Sequence, residues 1–178
     1  MSDAKLTGNF TVIDTETTGL SPRTCEIIEV GAVRFRDFEP VAEYGTLVRP
    51  HSYIPSNISS LTGITNQMVK DCPYFEDIAD DFMSFIGNDD VVGHNLTFDL
   101  NFLSSGGMPI FTSGNEFIDT LKLSRRLLQK GVDIENHRLS TVCDFFGIDL
   151  TNAHRAVDDA MAAGILFKKL INYEKRYC

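Results

Sequence analysis

Residues 10–20 read FTVIDTETTGL. The β-branched and aromatic residues at its start predict a buried strand, yet the run then carries two carboxylates, Asp14 and Glu16, separated by one residue. Side chains on a strand alternate between faces, so both acids point the same way. Two like charges on one small patch raise each other's cost of ionisation unless a cation, a donor or water neutralises them. A polyvalent metal ion meets that need, and further ligands are then expected elsewhere in the chain.

The surroundings of this stretch are β-rich. NFTVID (9–14), IIEVGAVRFR (27–36) and AEYGTLVRP (42–50) are strand-like runs separated by turn residues. Alternation in the second run puts Ile27, Glu29, Gly31, Val33 and Phe35 on one face, where Glu29 reads as a hydrogen-bonded structural acid rather than a ligand. Helical periodicity then takes over. YFEDIADDFMSFIG has apolar residues at amphipathic spacing, with Gly87 as its stop. DVVGHN (90–95) reads as a short buried strand leading into a helix from about Phe98 to Leu103. FIDTLKLSRRLLQKG reads as a strand end, an N-cap at Asp119, a helix, and a stop at Gly131. Helices from about Leu139 to Phe146 and from about Arg155 to Tyr173 complete the chain. Strands followed by alternating strands and helices predict an α/β domain with a mixed sheet.

The last helix carries adjacent aspartates in HRAVDDAMAAGILFKKLI. At about 100° per residue, Ala156, Ala163, Leu166 and Leu170 fall within roughly 60° of Asp159, which therefore lies on the apolar stripe. Asp158 lies on a flank with Arg155 and Lys169 and reads as solvated or paired. An ionised acid facing the core is costly unless it is paired or metal-bound, so the chemistry is assigned to Asp159. Asp99 interrupts the apolar start of VVGHNLTFDLNFL. Taken alone, it fits equally well an acid stabilised by the positive end of a helix. Carboxylates from three distant segments tip the balance toward a shared site, and oxygen ligands without cysteine favour hard cations such as Mg²⁺ or Mn²⁺. His154 stands at the mouth of the same helix, and its ordinary pKa of about 6.5 suits a general base acting on water. His94 reads as the anchor of a strand end and His137 as part of a polar loop, while His51 belongs to no constellation.

Composition narrows the classes. With 178 residues, no repeat and no Pro/Gly/Ser-rich linker, one domain is expected over 1–178, with its core at about 8–171. The net charge of −9 excludes a broad basic footprint for nucleic acid, so such a partner would be gripped locally. Cys25, Cys72, Cys143 and Cys178 show no paired spacing and are expected as free thiols. MSDAKLTGNF holds no apolar signal region, and MAAGILF is too short to span a bilayer. A cytoplasmic protein without a membrane partner is expected.

Taken together, IDTETTGL with Asp14 and Glu16, HNLTFDLNFL with Asp99, and HRAVDDA with His154 and Asp159 resemble the DEDDh branch of the DnaQ-like 3′→5′ exonucleases. Three motifs in order, over roughly residues 8–171, are far more specific than any one of them. LTGIT (61–65) is similar to the family's loop-and-helix region near the substrate. The resemblance implies a ribonuclease H-like fold, with a central five-stranded mixed sheet flanked by helices and its second strand antiparallel to the rest. It implies two Mg²⁺ or Mn²⁺ ions, with Asp14 bridging both, Glu16 and Asp159 completing the first site, and Asp99 holding the second directly or through water. His154 would deprotonate the attacking water, and nucleoside 5′-monophosphates would be released. Thr17, Thr18 and Gly19 would meet the 3′ end of a strand, Leu20 would wedge against a base, and Asn95 and Phe98 would touch the last nucleotides. A strand-to-turn segment would explain the first group without a ligand, and a core position would explain Phe98.

Within the family, DTETTGL is similar to the proofreading exonuclease (epsilon-type) of bacterial DNA polymerase III, whereas oligoribonucleases more usually carry methionine after the glutamate. Single-stranded DNA is therefore the expected substrate, in proofreading or repair. A DNA polymerase is a candidate partner, although the chain ends soon after the last helix, as in a stand-alone repair enzyme or a domain of a larger polymerase. An exoribonuclease is the first rival; a non-catalytic nucleic-acid or polymerase-binding module is the second, and the intact set of acids argues against it. The run KLSRRLLQK places Lys122, Arg125, Arg126 and Lys130 at near-helical spacing, which reads as a solvated face or as phosphate contacts along a strand.

Overall fold

A computed structural model describes residue 5 and residues 7–108, 115–150 and 154–177. Five strands form one mixed sheet: β1 (Phe10–Thr17), β2 (Ile27–Arg36), β3 (Glu39–Leu47), β4 (Val91–Gly93) and β5 (Phe117–Asp119), in the order β3-β2-β1-β4-β5. β2 runs antiparallel to both neighbours, while β1, β4 and β5 are mutually parallel. Helices follow as α1 (Ser56–Thr62), α2 (Asn66–Val69), α3 (Phe75–Ile86), α4 (Leu96–Ser105), α5 (Thr120–Leu127), α6 (Leu139–Phe145) and α7 (Ala156–Tyr177).

The central strand explains the layers. Phe10 and Val12 of β1 join Val33 and Phe35 of β2 in a core closed by α5, α6 and α7. Ile13, Val30 and Ala32, on the opposite face, pack with α3 and α4. Asp14 and Glu16 continue the first of these rows toward α7, as the period of two requires. Three glycines bring α7 close to the sheet. A Cβ on Gly31 would sit 2.3–2.5 Å from the backbone of Ala156 and Val157, one on Gly45 would meet Val157 Cγ2 at 2.4 Å, and one on Gly164 would meet the Phe35 ring at 2.3 Å.

Several boundaries differ from the sequence reading. β1 runs on through Thr17, so both acids lie within the strand, and β3 begins and ends three residues earlier than its apolar pattern suggests. α7 extends to Tyr177. The α5 helix stops at Leu127, not at Gly131. Leu128 leaves the helix in an extended conformation to bury its side chain in the core, and Gly131, at φ 82°, serves the turn beyond it. The short helices α1 and α2 were too brief to register as amphipathic periodicity. Asp119 caps α5 as expected, accepting from Leu121 N at 2.9 Å, and α3 ends at Gly87.

Because Gly31 touches helix backbone rather than a flexible side chain, Gly31→Ala is expected to cost about 1–3 kcal/mol of stability. Urea unfolding of the variant beside wild type measures it.

Candidate active site

The site forms where the end of β1 meets the start of α7. Asp14 is opposite Gly31 and Glu16 is opposite Glu29 in the β1–β2 ladder, so the missing side chain at Gly31 leaves room for the first turn of α7 directly beside the acids. Glu29 holds that turn in place. Its carboxylate, almost fully buried, accepts from Arg155 Nε at 3.0 Å, from Arg155 Nη2 at 2.7 Å and from Ala156 N at 3.0 Å. Glu29 is thus the structural acid expected, although its partner Arg155, 126 residues away in sequence, could not be read from the chain.

Anchored in this way, α7 turns Asp159 toward β1. Glu16, His154 and Asp159 each offer a ligand atom within 4.8 Å of the other two. His154 itself is exposed, takes a left-handed backbone with φ 70°, and donates its N–H to Asp159 Oδ2 at 3.0 Å. Asp158 lies to the side and contributes charge to Arg155. Asp99 arrives from α4 on the other face of the sheet. Its Oδ1 accepts from both the backbone N (2.9 Å) and the hydroxyl (2.8 Å) of Thr15. Thr15 was not singled out in the sequence; alternation along β1, which turns it away from Asp14 and Glu16, is the signal that would have found it.

The electrostatics show an unbalanced cluster. Burial, followed by the charges of Asp99, Asp159, Glu16 and Glu29, raises the Asp14 carboxyl well above the usual range. Burial, with Asp159, Glu29 and Asp99 adding, pushes Glu16 up to about 8. Asp99 rises to about 7, mainly through burial and against the lowering effect of its Thr15 hydrogen bonds. Burial also raises Asp159, opposed by the His154 N–H. Neither the Asp14 nor the Glu16 side chain accepts a hydrogen bond from any described residue. Acceptor-only oxygens of this number, left without donors, fit a hard divalent cation.

The remaining predicted contacts flank this cluster. Thr17 and Thr18 are buried, with the Thr17 hydroxyl on Gly19 O and the Thr18 hydroxyl accepting from Glu26 N. Both hydroxyls thus serve the turn, as the plainer reading of TTGL had it. A Cβ on Gly19 would lie 2.7 Å from Cys25 Sγ, so the Cys25 side chain packs close against this turn. Leu20 projects into solvent, 87% exposed. Asn95, at φ 67°, precedes α4 and lines the cleft with His154 and Asp159. Phe98 is half-buried against Phe102. His94 is the anchor expected, 2.9 Å from both Thr120 Oγ1 and His137 O. His51, to which the sequence assigned no neighbours, stacks on Tyr74 with ring centroids 4.5 Å apart.

A family model described as Exonuclease matches residues 11–167. The chain belongs to the exonuclease family. The PolC-type DNA polymerase III of Caldanaerobacter subterraneus subsp. tengcongensis is 42% identical over 171 residues, covering 96% of this chain and 12% of that one. The chain therefore matches a small part of this much longer curated relative. Among solved structures, Exonuclease X in complex with 5′ overhanging duplex DNA is 27% identical, with 93% of each chain covered and a TM-score of 0.75. Exonuclease I of E. coli in complex with a dT13 oligonucleotide is 20% identical over 94% of this chain and 42% of that one, with a TM-score of 0.82, a likeness of fold. The expectations of family, exonuclease class and five-stranded mixed fold are borne out, as is the likeness to DNA polymerase III.

The raised acids set a pH dependence. Stability associated with a protonated Glu16 is fully present below its ordinary value of 4.5 and is lost as pH rises through about 8. In EDTA, the melting temperature is expected to fall across that window, and Glu16→Gln to flatten the fall. Thermal melts from pH 5 to 9, with and without Mg²⁺, measure both.

Proposed function

We propose that this chain is a 3′→5′ exonuclease that hydrolyses the terminal phosphodiester of single-stranded DNA and releases nucleoside 5′-monophosphates. The observation that carries the reading is the convergence of Asp14, Glu16, Asp99 and Asp159, all with raised carboxyl pKa values, beside an exposed histidine. Two divalent cations, Mg²⁺ or Mn²⁺, held by these four acids, would supply the positive charge that stabilises the attacking and leaving oxygens of an in-line displacement.

The chain's own residues supply the rest. An imidazole nitrogen of His154 takes a proton from the attacking water as its oxygen bonds to phosphorus. The bond from phosphorus to the 3′ oxygen of the penultimate nucleotide breaks, and that oxygen leaves as a hydroxyl after taking up a proton from solvent. Leu20, exposed at the end of the turn, stacks against the terminal base. Backbone amides and oxygens at Thr17, Thr18 and Gly19 bound the 3′ end, and Asn95 and Phe98 approach the neighbouring nucleotide. DNA is favoured over RNA because the similar relatives are DNA polymerases, and the same likeness favours proofreading beside a polymerase. We place the domain at 1–178 with its core at about 8–171. Free thiols at Cys25, Cys72 and Cys143 suit a reducing cytoplasm; no helix among the described residues is long and apolar enough to cross a membrane.

The test is stepwise shortening of 5′-labelled DNA and RNA of one sequence, with Mg²⁺ or Mn²⁺ and an EDTA control. Shortening from the 3′ end that is faster on DNA is expected; faster RNA turnover names a ribonuclease instead, and binding without cleavage names a non-catalytic module. Asp159→Ala is expected to remove activity by at least about a thousandfold while Asp158→Ala stays within about threefold, since only the former faces the cluster. His154→Ala is expected to lower kcat by about a hundredfold or more with cation affinity, read by calorimetry, little changed.

A further inference from the structure

The cleft that contains Asn95, His154 and Asp159 continues away from the carboxylates as a hollow of about 900 Å³. Arg125, Lys130 and Arg138 line it. All three are exposed, and none forms an ion pair among the described residues. The basic run from Lys122 to Lys130, which begins in α5 and continues past its end, is therefore divided in space. Arg126 pairs with Glu174, Lys122 lines a different hollow, and only Arg125 and Lys130 reach the cleft, where Arg138 joins them from a separate loop.

We propose that Arg125, Lys130 and Arg138 form the track for the backbone phosphates of the substrate strand upstream of the scissile bond. The inference rests on the exonuclease reading and adds to it where the strand lies. Three features support it. The cations are continuous with the reaction centre through one cleft, so a strand whose terminal phosphate lies at Asp159 can follow them. The segments that carry Arg125 and Arg138 are also tied together by part-buried polar bonds: His94 links Thr120, at the start of α5, to the carbonyl of His137, and the His137 ring meets Ser124 Oγ at 3.1 Å. Asn136 then accepts from Arg138 N and from the Thr141 hydroxyl, both at 2.9 Å. Finally, the wall has a positive field. His137 is held below its usual pKa by burial and then by Arg125 and Lys130, and His94 by burial with Arg125 contributing. On a chain of net charge −9, unpaired cations gathered on one wall of the active cleft provide the local grip that a polyanion needs.

The test compares KM for a twelve-nucleotide oligothymidylate and for thymidylyl-thymidine, a dinucleotide with no upstream phosphate, over a range of salt concentrations. In Arg125→Ala/Arg138→Ala, the advantage of the longer substrate is expected to shrink about tenfold, and the slope of log KM against log salt to fall by about 1.4, at about 0.7 per lost single-strand contact. Lysine at both positions should restore most of the slope, which a purely structural role would not. Lys122→Ala/Arg126→Ala removes the same charge outside the cleft and should keep the wild-type ratio. Matched melting curves exclude misfolding. An unchanged ratio and slope in the Arg125/Arg138 variant, or an equal loss in the Lys122/Arg126 variant, overturns the track while leaving the exonuclease reading intact. Wild-type protein that cleaves neither substrate overturns both.

Discussion

The rest of the site depends on the backbone of Ala156 and Val157 lying against Gly31, with Glu29 gripping Arg155 and the Ala156 N–H beside it. A helix normally stands off a sheet by the depth of its side chains. Here a glycine removes one layer of atoms, and a buried acid satisfies a helix donor that would otherwise be orphaned. The first turn of α7 can then approach β1 closely enough for Asp159 to share space with Glu16. Without that approach, Asp159 would stand apart from Asp14 and Glu16 as a separate charge.

Close approach has an electrostatic consequence. Asp14, Glu16, Asp99 and Asp159 are all raised from their ordinary carboxyl values, with burial as the leading cause in each. The Glu29 carboxylate, by comparison, receives donors from Arg155 and from the Ala156 N–H. The contrast separates a structural acid, supplied with donors, from acids left short of them, and that shortage is what makes a cation site. Stability is thus sacrificed locally for function, and the apolar layers on both faces of β1 supply the support that tolerates it.

Much of this was legible in the chain because it follows from local periodicity. The period of two put Asp14 and Glu16 on one face, and the helical period separated Asp159, now 8% exposed, from Asp158 on its flank. Asp119 and Gly87 carried their own terminus chemistry. Errors arose where tertiary packing overrode local pattern: Leu128 left its helix for the core, so the Gly131 stop was misplaced, and α1 and α2 were too short to show a stripe.

By itself, then, the sequence determined the acids, their faces, the order of the strands and of the longer helices, and the family, since each is written in neighbouring residues or in motif order. Only the tertiary structure decided which partners those residues met. The Glu29–Arg155 anchor, the Thr15 hydroxyl on Asp99, and the division of a basic run into Arg125 at the cleft and Arg126 on Glu174 all join residues remote in the chain. Such contacts depend on how the elements pack, which no local spacing encodes.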